Sequence, residues 1–340
     1  MAWAVLFAVA LVAPTADWPA REARHLRNIR QLTFDFVRAG EGYFSPDMRS
    51  IVFQAEDRGD NPFYQIYLMD LATGKTRRVS PGVGRTTCAF FHPDGKKIIF
   101  ASSHLDPNAK KHQAEELARR ARELQLGRPR RYEWFFDPYM DIFELDLTTE
   151  HLRRLTDAPG YDAEGSYSPD GKSIVFCSQR DGHLQLYIMD SDGRLVRKLT
   201  NAPGCYNGGP FFSPDGKRVI FRADRKKKDY LQLYVINTDG TGERQLTDTE
   251  GVNWGPYWHP DGRHVIYSAA DHSDPTVRPN YDLWLLDIET GVKTRITYAP
   301  GADVLPVFSP DGKKLMWTST RDGTMPGAQL FIADFLMPQS

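Results

Sequence analysis

Phe212-Ser-Pro-Asp-Gly216 is one of six short segments of this chain that share a single pattern. An aromatic residue is followed by Ser or His, then by Pro and Asp, and in five of the six copies by Gly. Pro presets the backbone of a tight turn, and Gly accepts the positive φ that such a turn often needs. The pattern therefore predicts six hairpin turns, at residues 43–48, 91–95, 167–171, 212–216, 258–262 and 308–312.

Strand-forming sequence surrounds each turn. A run of β-branched and aromatic residues such as Ile174-Val-Phe176 follows the turn and predicts a second strand. A segment like Gln185-Leu-Tyr187 predicts a third strand, and a segment that ends in an aliphatic and a hydroxyl residue, such as Leu199-Thr200, predicts a fourth. The turn prolines recur at intervals of 47, 76, 45, 46 and 50 residues, which suits propeller blades rather than shorter solenoid repeats. We predict an all-β fold, a six-bladed β-propeller of four-stranded antiparallel blades over residues 28–335.

The two ends of the repeat region complement each other. The last unit stops after its third strand, near Phe335, whereas a spare fourth-strand phrase, Ile29-Arg-Gln-Leu-Thr33, stands before the first turn. We expect a strand of residues 28–33 to complete the last blade. Closing the ring in this way removes the two open sheet edges that a linear array would expose.

The one long interval contains an insertion in blade two, at residues 104–138. Apolar residues at helical spacing predict an amphipathic helix from Lys110 to Leu126. Gly127-Arg-Pro129 ends that pattern, and the aromatic group 132–136 is suited to dock the insertion onto the propeller. The pattern fits either an insertion that simply packs against the propeller or a lid over the central channel.

Residues 3–13 form an apolar run that is too short to span a bilayer and lies where a signal peptide has its hydrophobic region. We interpret residues 1–20 as a signal peptide or N-terminal hydrophobic segment, and predict a periplasmic or secreted protein. Since no Lys or Arg precedes the run and no clear cleavage site follows it, an uncleaved anchor and a misassigned start codon stay open.

The composition excludes several classes of protein. The 43 Lys and Arg residues nearly balance the 44 Asp and Glu residues, so no overall field favours nucleic acid or an anionic membrane. Cys88, Cys177 and Cys205 include no closely spaced pair, which argues against a zinc cluster or a disulfide framework and predicts buried thiols.

The repeat resembles that of the TolB-like propellers, on the evidence of the aromatic-Ser-Pro-Asp-Gly turn, the strand after it, and phrases such as Ser178-Gln-Arg-Asp-Gly182. Similar repeats occur in TolB, in propeller domains of tricorn-type and prolyl-oligopeptidase-type peptidases, and in some polysaccharide lyases. Here only about 28 residues precede the propeller, and no α/β-hydrolase module follows it. The resemblance therefore implies a free-standing, monomeric propeller, rather than a Tol-Pal component or a peptidase.

Two sets of aligned positions are expected on the face opposite the turns. The first set lies six residues before the Ser or His of each turn, and four blades carry Asp or Asn there. The second set lies four residues after the aromatic residue of the second strand, and every blade carries a titratable residue there. We predict a polar ligand-binding rim around the channel, although such residues also serve simply to join blades. The rim residues are Asp162, Asn207, Asn253 and Asp303 in the first set, and Asp57, Arg180, Arg225, Asp271 and Arg321 in the second, which also includes His104.

Catalytic motifs are absent from the sequence: it has no G-x-S-x-G, no H-E-x-x-H and no P-loop. His104, His183 and His272 fall in loops of the channel face and are the candidates for general bases or metal ligands. Asp162 and Asp303 are secondary metal candidates. No cofactor is predicted, and calcium stays open because carboxylates at a channel mouth suit it.

These observations leave two functional hypotheses. The first is a binding or scaffolding module that takes a protein or carbohydrate ligand at the central channel and does no chemistry. The alternative is a metal-dependent carbohydrate-active enzyme of the polysaccharide lyase type, because a His and Asp rim could supply a base and hold a cation.

Overall fold

The computed structural model describes residues 17–127, 135–274, 276–277, 279–321 and 327–338. The N-terminal segment 1–16 and residues 132–134 of the predicted aromatic group lie outside these ranges. No helix among the described residues is both long and apolar enough to cross a membrane.

The chain begins with a short helix and a single strand and then enters blade one. Its first elements are α1 (Trp18–Glu22), β1 (Leu26–Gln31), β2 (Arg38–Phe44), β3 (Ser50–Glu56), β4 (Gln65–Asp70) and β5 (Thr76–Arg78). Blade two contains β6 (Thr86–Phe91), β7 (Lys97–Ser102), the inserted helix α2 (Ala109–Gln125), β8 (Asp141–Asp146) and β9 (Leu152–Arg154).

The remaining blades follow the same order. Blade three is β10 (Asp162–Tyr167), β11 (Ser173–Ser178), β12 (Gln185–Asp190) and β13 (Arg197–Lys198); blade four is β14 (Asn207–Phe212), β15 (Arg218–Ala223), β16 (Gln232–Asn237) and β17 (Arg244–Gln245). Blade five is β18 (Gly251–Trp258), β19 (His264–Asp271), β20 (Asp282–Asp287) and β21 (Lys293–Arg295), and β22 (Asp303–Phe308), β23 (Lys314–Ser319) and β24 (Gln329–Phe335) begin blade six.

Six antiparallel sheets of four strands each result, and the sixth has the order β1-β24-β23-β22. The predicted six-bladed propeller is therefore confirmed, and so is its closure by a strand from the N-terminal side. The closing strand β1 runs from Leu26 to Gln31, two residues earlier at each end than predicted, and pairs antiparallel with β24.

A hydrogen bond from the backbone to a side-chain hydroxyl, repeated in every blade, explains why this strand belongs in blade six. In every blade, the second backbone N–H of the third strand donates to a hydroxyl that follows the fourth strand, at 2.9 or 3.0 Å. In blade six the hydroxyl is that of Thr33, which accepts from the Leu330 N–H and donates to Gln329 at 2.7 Å. Thr33 thus does for the sixth blade what Thr200 does for the third.

The predicted turns are stabilised by their own side chains. In blade three the Ser168 hydroxyl donates to Asp170 at 2.6 Å and accepts from the Ser173 N–H at 2.9 Å. In blades two and five His replaces the Ser, and the Nδ1 atoms of His92 and His259 accept from the N–H of the turn Asp at 3.2 and 3.3 Å. These two histidines therefore serve the turns on the face away from the rim.

The core lies between the blades. Ile51, Val52 and Phe53 of β3 have no exposed surface, and neither do Val219 and Phe221 of β15. Since each sheet is covered on both faces by its neighbours, its second strand is a continuous apolar run rather than an alternating one. The fold thus depends on contact between adjacent blades all the way round the ring.

A buried carboxylate joins helix α1 to blade six. Glu22 is 1% exposed, and its carboxylate accepts from the N–H groups of Tyr298 and Ala299 at 2.7 and 3.0 Å. It also lies 3.1 Å from the Arg321 guanidinium. The segment before the closing strand is therefore part of the folded structure.

Removing residues 1–34 should destabilise the whole ring, because the deletion takes away β1, the Thr33 hydroxyl and Glu22 together. We expect the melting temperature to fall by about 10 °C or more, or the protein to aggregate through the exposed edge of β24. Thermal unfolding followed by circular dichroism measures this. The control is a deletion of residues 1–16, which removes none of these contacts; equal loss of stability in both truncations would contradict the closure.

Candidate functional site

The rim residues of blades three and six form ion pairs inside their own blades. Asp162 lies 2.9 Å from Arg180, and Asp303 lies 2.7 Å from Arg321. Both carboxylates are at most 1% exposed, and burial raises the pKa of Asp162 above its usual range. Each pair joins the start of an innermost strand to the loop after the second strand.

Asp303 has a further set of partners within blade six. It accepts from the Trp317 indole N–H at 2.9 Å and from the Ser319 hydroxyl at 2.5 Å. Together with Glu22 on the other side of Arg321, this produces a buried row of two carboxylates around one guanidinium. Arg321 and the neighbouring N–H and hydroxyl donors engage both carboxylates, which leaves little free hydrogen-bonding capacity for a ligand.

The asparagines of the rim are engaged as well. The Asn207 amide donates to the Leu184 carbonyl at 2.9 Å, while Asn253 donates to Gln232 at 2.9 Å and to Thr249 at 2.7 Å. Both side chains are buried, and the Oδ1 atom of Asn207 has no hydrogen-bond partner among the described residues.

Three rim residues lie further out. Asp57 accepts from the Tyr67 hydroxyl at 2.6 Å, and Arg225 lies 3.1 Å from Glu243. Asp271 is exposed and accepts from the Ser273 N–H at 2.8 Å, a hydrogen bond that lowers the pKa of its carboxyl. The predicted rim is thus a set of local pairs on one face of the ring.

The three candidate histidines lie in separate environments. His104 packs against Phe143, with ring centroids 4.5 Å apart, and burial lowers its pKa. His183 is exposed, and His272 lies between Tyr230 and Tyr281, with its Nε2 atom buried and without a partner in the described structure. Nowhere in the described residues do three or more His, Cys, Asp or Glu side chains form a group that could hold a metal ion.

The structure instead points to the channel axis, through a bulge that recurs in all six innermost strands. Each of these strands shifts register against its neighbour at one place, where two residues oppose one. The residue four positions before the turn Ser or His has a positive φ of 48° to 58° in every blade. These residues are Glu41, Cys88, Glu164, Gly209, Gly255 and Leu305.

The bulge turns a backbone N–H of the inner strand toward the preceding blade. The Glu41 N–H donates to Thr318, the Cys88 N–H to Gln54 and the Leu305 N–H to Ser268, at 3.0 to 3.4 Å. The acceptors occupy one aligned position, the residue after the aromatic residue of the second strand. Because these hydrogen bonds connect neighbouring blades, they hold the bulged residues at the same level along the channel axis.

In blade four that aligned position holds Arg222, which extends to the axis. Its Nη2 atom donates to the Tyr206 hydroxyl at 2.8 Å and lies 3.1 Å from Glu164 of blade three. The absence of a side chain at Gly209 makes this approach possible, since a Cβ there would overlap the Arg222 guanidinium. The Glu164 carboxylate also accepts from the Tyr206 hydroxyl and from the Gly209 N–H.

Glu41 occupies the same bulge position in blade one, two blades away from Glu164. The Tyr43 hydroxyl is 3.4 Å from its carboxylate, and the Cys88 thiol is a second hydrogen-bond partner. Burial, and next the charge of Glu164, raise the pKa of Glu41 to about 7, whereas Arg222 opposes the shift. Burial also raises the pKa of Cys88, so this thiol has no thiolate character to act as a nucleophile.

Four aromatic rings close the channel just beyond this charged level. Tyr43 of blade one contacts Phe90, Phe211 and Tyr257 with centroid distances of 5.1, 5.7 and 6.1 Å, and Phe211 lies 5.1 Å from Tyr257. Blades one and four are on opposite sides of a six-membered ring, so these contacts cross the axis. We call these four residues the aromatic floor.

The channel mouth is bordered by the insertion and by blade five. The Phe136 ring lies 5.2 Å from Tyr161 and 5.9 Å from Tyr206, which places the end of the insertion beside the charged level. The Trp254 ring lies 5.9 Å from the Arg222 guanidinium, and its indole N–H is buried without a hydrogen-bond partner in the described structure.

The inserted helix itself lies over blades one and two and is held by polar contacts. Arg120 lies 2.6 Å from Glu56 and donates to the Pro62 carbonyl at 2.8 Å, and Gln113 accepts from the Gly84 N–H at 3.2 Å. Leu117 and Leu124, which belong to the predicted apolar face, are 42% and 82% exposed. Charge rather than apolar burial therefore positions the helix.

Sequence reasoning missed this axial cluster, although a signal for it exists. In the aligned repeats, the position of Arg222 otherwise holds Gln54, Ala101, Cys177, Ser268 and Thr318, so one blade alone has a charge there. The bulge position likewise carries a carboxylate in blades one and three only. A charged residue at an aligned position that is small or neutral in the other blades therefore indicates the site.

The comparisons with known proteins agree on the fold. The model of the TolB beta propeller domain family, PD40, matches residues 137–207. A TolB homologue of Chlorobium chlorochromatii is 30% identical over 178 residues, which are 51% of this chain and 38% of that protein. The chain spans well under half the length of the curated relatives it matches, at 20%, 33% and 38% for three of them.

Solved structures are similar over nearly the whole chain. TolB from Acinetobacter baumannii has a TM-score of 0.56 at 20% identity, covering 90% of this chain and 66% of that one. An oligogalacturonate lyase in complex with manganese has a TM-score of 0.52 at 17% identity, covering 91% and 93%. The fold and the axial site define a six-bladed propeller with a closed, charged channel. Within that class, the matching family model, the TolB homologue and the TolB structure support a TolB-like β-propeller.

The raised pKa of Glu41 predicts a specific pH dependence of stability. Between 4.5, its ordinary value, and about 7, the native state holds a proton that the unfolded chain has lost, so ionising Glu41 as the pH rises destabilises the fold. Glu41→Gln should therefore gain melting temperature over the wild type as the pH rises from 5 to 8, by about 3 °C.

Thermal unfolding at intervals between pH 5 and pH 9 measures this difference. Other titrating groups cancel in the comparison because both proteins contain them. Glu289→Gln is the matched control, since Glu289 is an exposed residue of blade five. A difference between Glu41→Gln and the wild type that stays constant across the range would contradict the assignment.

Proposed function

We propose that this propeller is a monomeric binding module that takes its ligand at the mouth of the central channel, on the face opposite the Ser-Pro-Asp turns. The observation that carries the proposal is the aromatic floor, which closes the channel beneath Glu41, Glu164 and Arg222. A channel that ends on apolar rings beneath charged side chains suits recognition of a ligand rather than its passage. The ligand class is a protein segment or a carbohydrate.

A metal-dependent lyase is the second candidate, favoured by the similarity of the fold to an oligogalacturonate lyase that binds manganese. At 17% identity that similarity concerns the fold alone. The side chains argue for binding instead, because the described residues contain no group of three metal-ligating side chains and the candidate histidines have separate partners.

Arrays of peptides and of glycans, including oligogalacturonates, test the binding role. We expect saturable binding by the wild type that Leu305→Trp abolishes, because a larger side chain at this bulge position fills the channel. Lys172→Trp, on an exposed residue of the opposite face, is the matched control and should bind as the wild type does. Binding that survives in Leu305→Trp would place the ligand elsewhere.

The same glycans distinguish the second candidate. Manganese-dependent formation of unsaturated uronate products, followed by ultraviolet absorbance, would establish the lyase reaction. We expect no turnover with or without added manganese, even for glycans that bind.

We also propose that the protein is exported, in accordance with its N-terminal apolar run and its TolB-like fold. Because Glu22 is built into blade six, cleavage must leave that residue in place. The N-terminal residue of protein recovered from the periplasm or medium should therefore lie before Glu22. Retention of Met1 or Ala2 in protein found only in the cytoplasm would overturn export.

A further inference from the structure

Glu41, which is half-buried, differs from the buried carboxylates of the channel face. Asp162, Asp303 and Glu164 each lie within 3.1 Å of a guanidinium. Glu41 has no cation within ion-pair distance in the described part of the chain, and its partners are a tyrosine hydroxyl at 3.4 Å and a thiol. It is therefore the one carboxylate of this set whose charge the fold leaves without a counter-ion.

The groups around Glu41 suit a cation rather than an anion. Arg222 is already engaged by Glu164 and Tyr206, so the two glutamates and one arginine leave a net negative charge when all are ionised. Tyr43, which contacts Glu41, belongs to the aromatic floor together with Tyr257. Aromatic faces beside an unpaired carboxylate are the features that bind an ammonium group.

Apart from Arg222 of blade four, the described bulge positions on the opposite side of the channel add no charge. At the bulge level blades four, five and six contribute Gly209, Gly255 and Leu305. Above them the buried Trp254 indole N–H has no acceptor among the described residues. A ligand that carries an ammonium group near a carbonyl could satisfy both Glu41 and this donor, whereas a neutral sugar leaves the charge of Glu41 uncompensated.

We propose that the channel binds the protonated amine of a peptide ligand, either its amino terminus or a lysine side chain, with the ammonium group on Glu41 and against the aromatic floor. This inference rests on the proposed function, since it names the ligand class of the same channel. The two amine sources share one chemistry, and the experiment below separates them.

Binding should release a proton near neutral pH. Glu41 has a pKa raised to about 7, and a bound ammonium group favours its ionised form. The titratable and charged groups that face it are Glu164, Arg222, Cys88 and Tyr43. Arg222 stays charged, and burial raises the pKa of both Cys88 and Tyr43, so Glu41 is the group expected to respond.

Isothermal titration calorimetry with three small probes tests the proposal on the whole chain. The probes are Ala-Ala-Phe amide with a free amino terminus, the same peptide with an acetylated terminus, and N-acetyl-lysine methylamide. At least one of the two amines should bind at pH 8, and the preferred one identifies the source. Its affinity should fall about 10-fold in Glu41→Gln. In the wild type between pH 8 and pH 6, the affinity should fall about 10-fold for the lysine probe and about 4-fold for the free amino terminus, which is itself partly neutral at pH 8.

The controls keep the inference separate from channel binding as such. Glu289→Gln should bind like the wild type, and thermal unfolding verifies that Glu41→Gln is folded. If the acetylated peptide binds as well as the free one, and Glu41→Gln binds both normally while Leu305→Trp does not, the ammonium site is wrong and channel binding stands. Absence of saturable binding by either amine at millimolar concentration also overturns the ammonium site.

Discussion

The closing of the ring by Thr33 and β1 is the interaction on which the rest of the structure depends. Each blade needs a hydroxyl from its outer strand to accept the N–H of its third strand, and blade six receives this group from the other end of the chain. Only a closed ring brings blade one against blade six, where the Glu41 N–H donates to Thr318. The position of the axial carboxylate is thus a consequence of closure.

Much of the fold was predictable because its determinants are local and repeated. A turn such as Ser168-Pro-Asp-Gly171 can be recognised from its letters, since Ser and Asp satisfy the turn without help from other blades. Both ends of the closing strand were predicted two residues too late, because Thr33, whose hydroxyl accepts from the third strand, follows the strand rather than ending it. Local chemistry predicts the turn well and the strand boundary less well.

The site was harder to predict because it depends on residues that depart from the repeat. Asp162 and Arg180 were predicted as members of a ligand-binding rim, but sequence alone does not show that they form an ion pair at 2.9 Å. Arg222 and Glu164 lie 58 positions apart, in different blades, and their contact requires the space that Gly209 leaves free. Alignment of repeats finds positions, whereas the partners become known only from the folded ring.

The buried contact between Glu22 and Arg321 bears on how the chain folds during synthesis. These two residues are separated by 299 positions, so Arg321 has not yet been made when Glu22 leaves the ribosome. Blades one to five can form in order from contacts between neighbours, but the contacts described for Glu22 and β1 are with residues that are made last. Long-range contacts of this kind form slowly. Until then Glu22 and β1 are exposed. Their contacts with Arg321 and β24 are therefore the last native contacts to form.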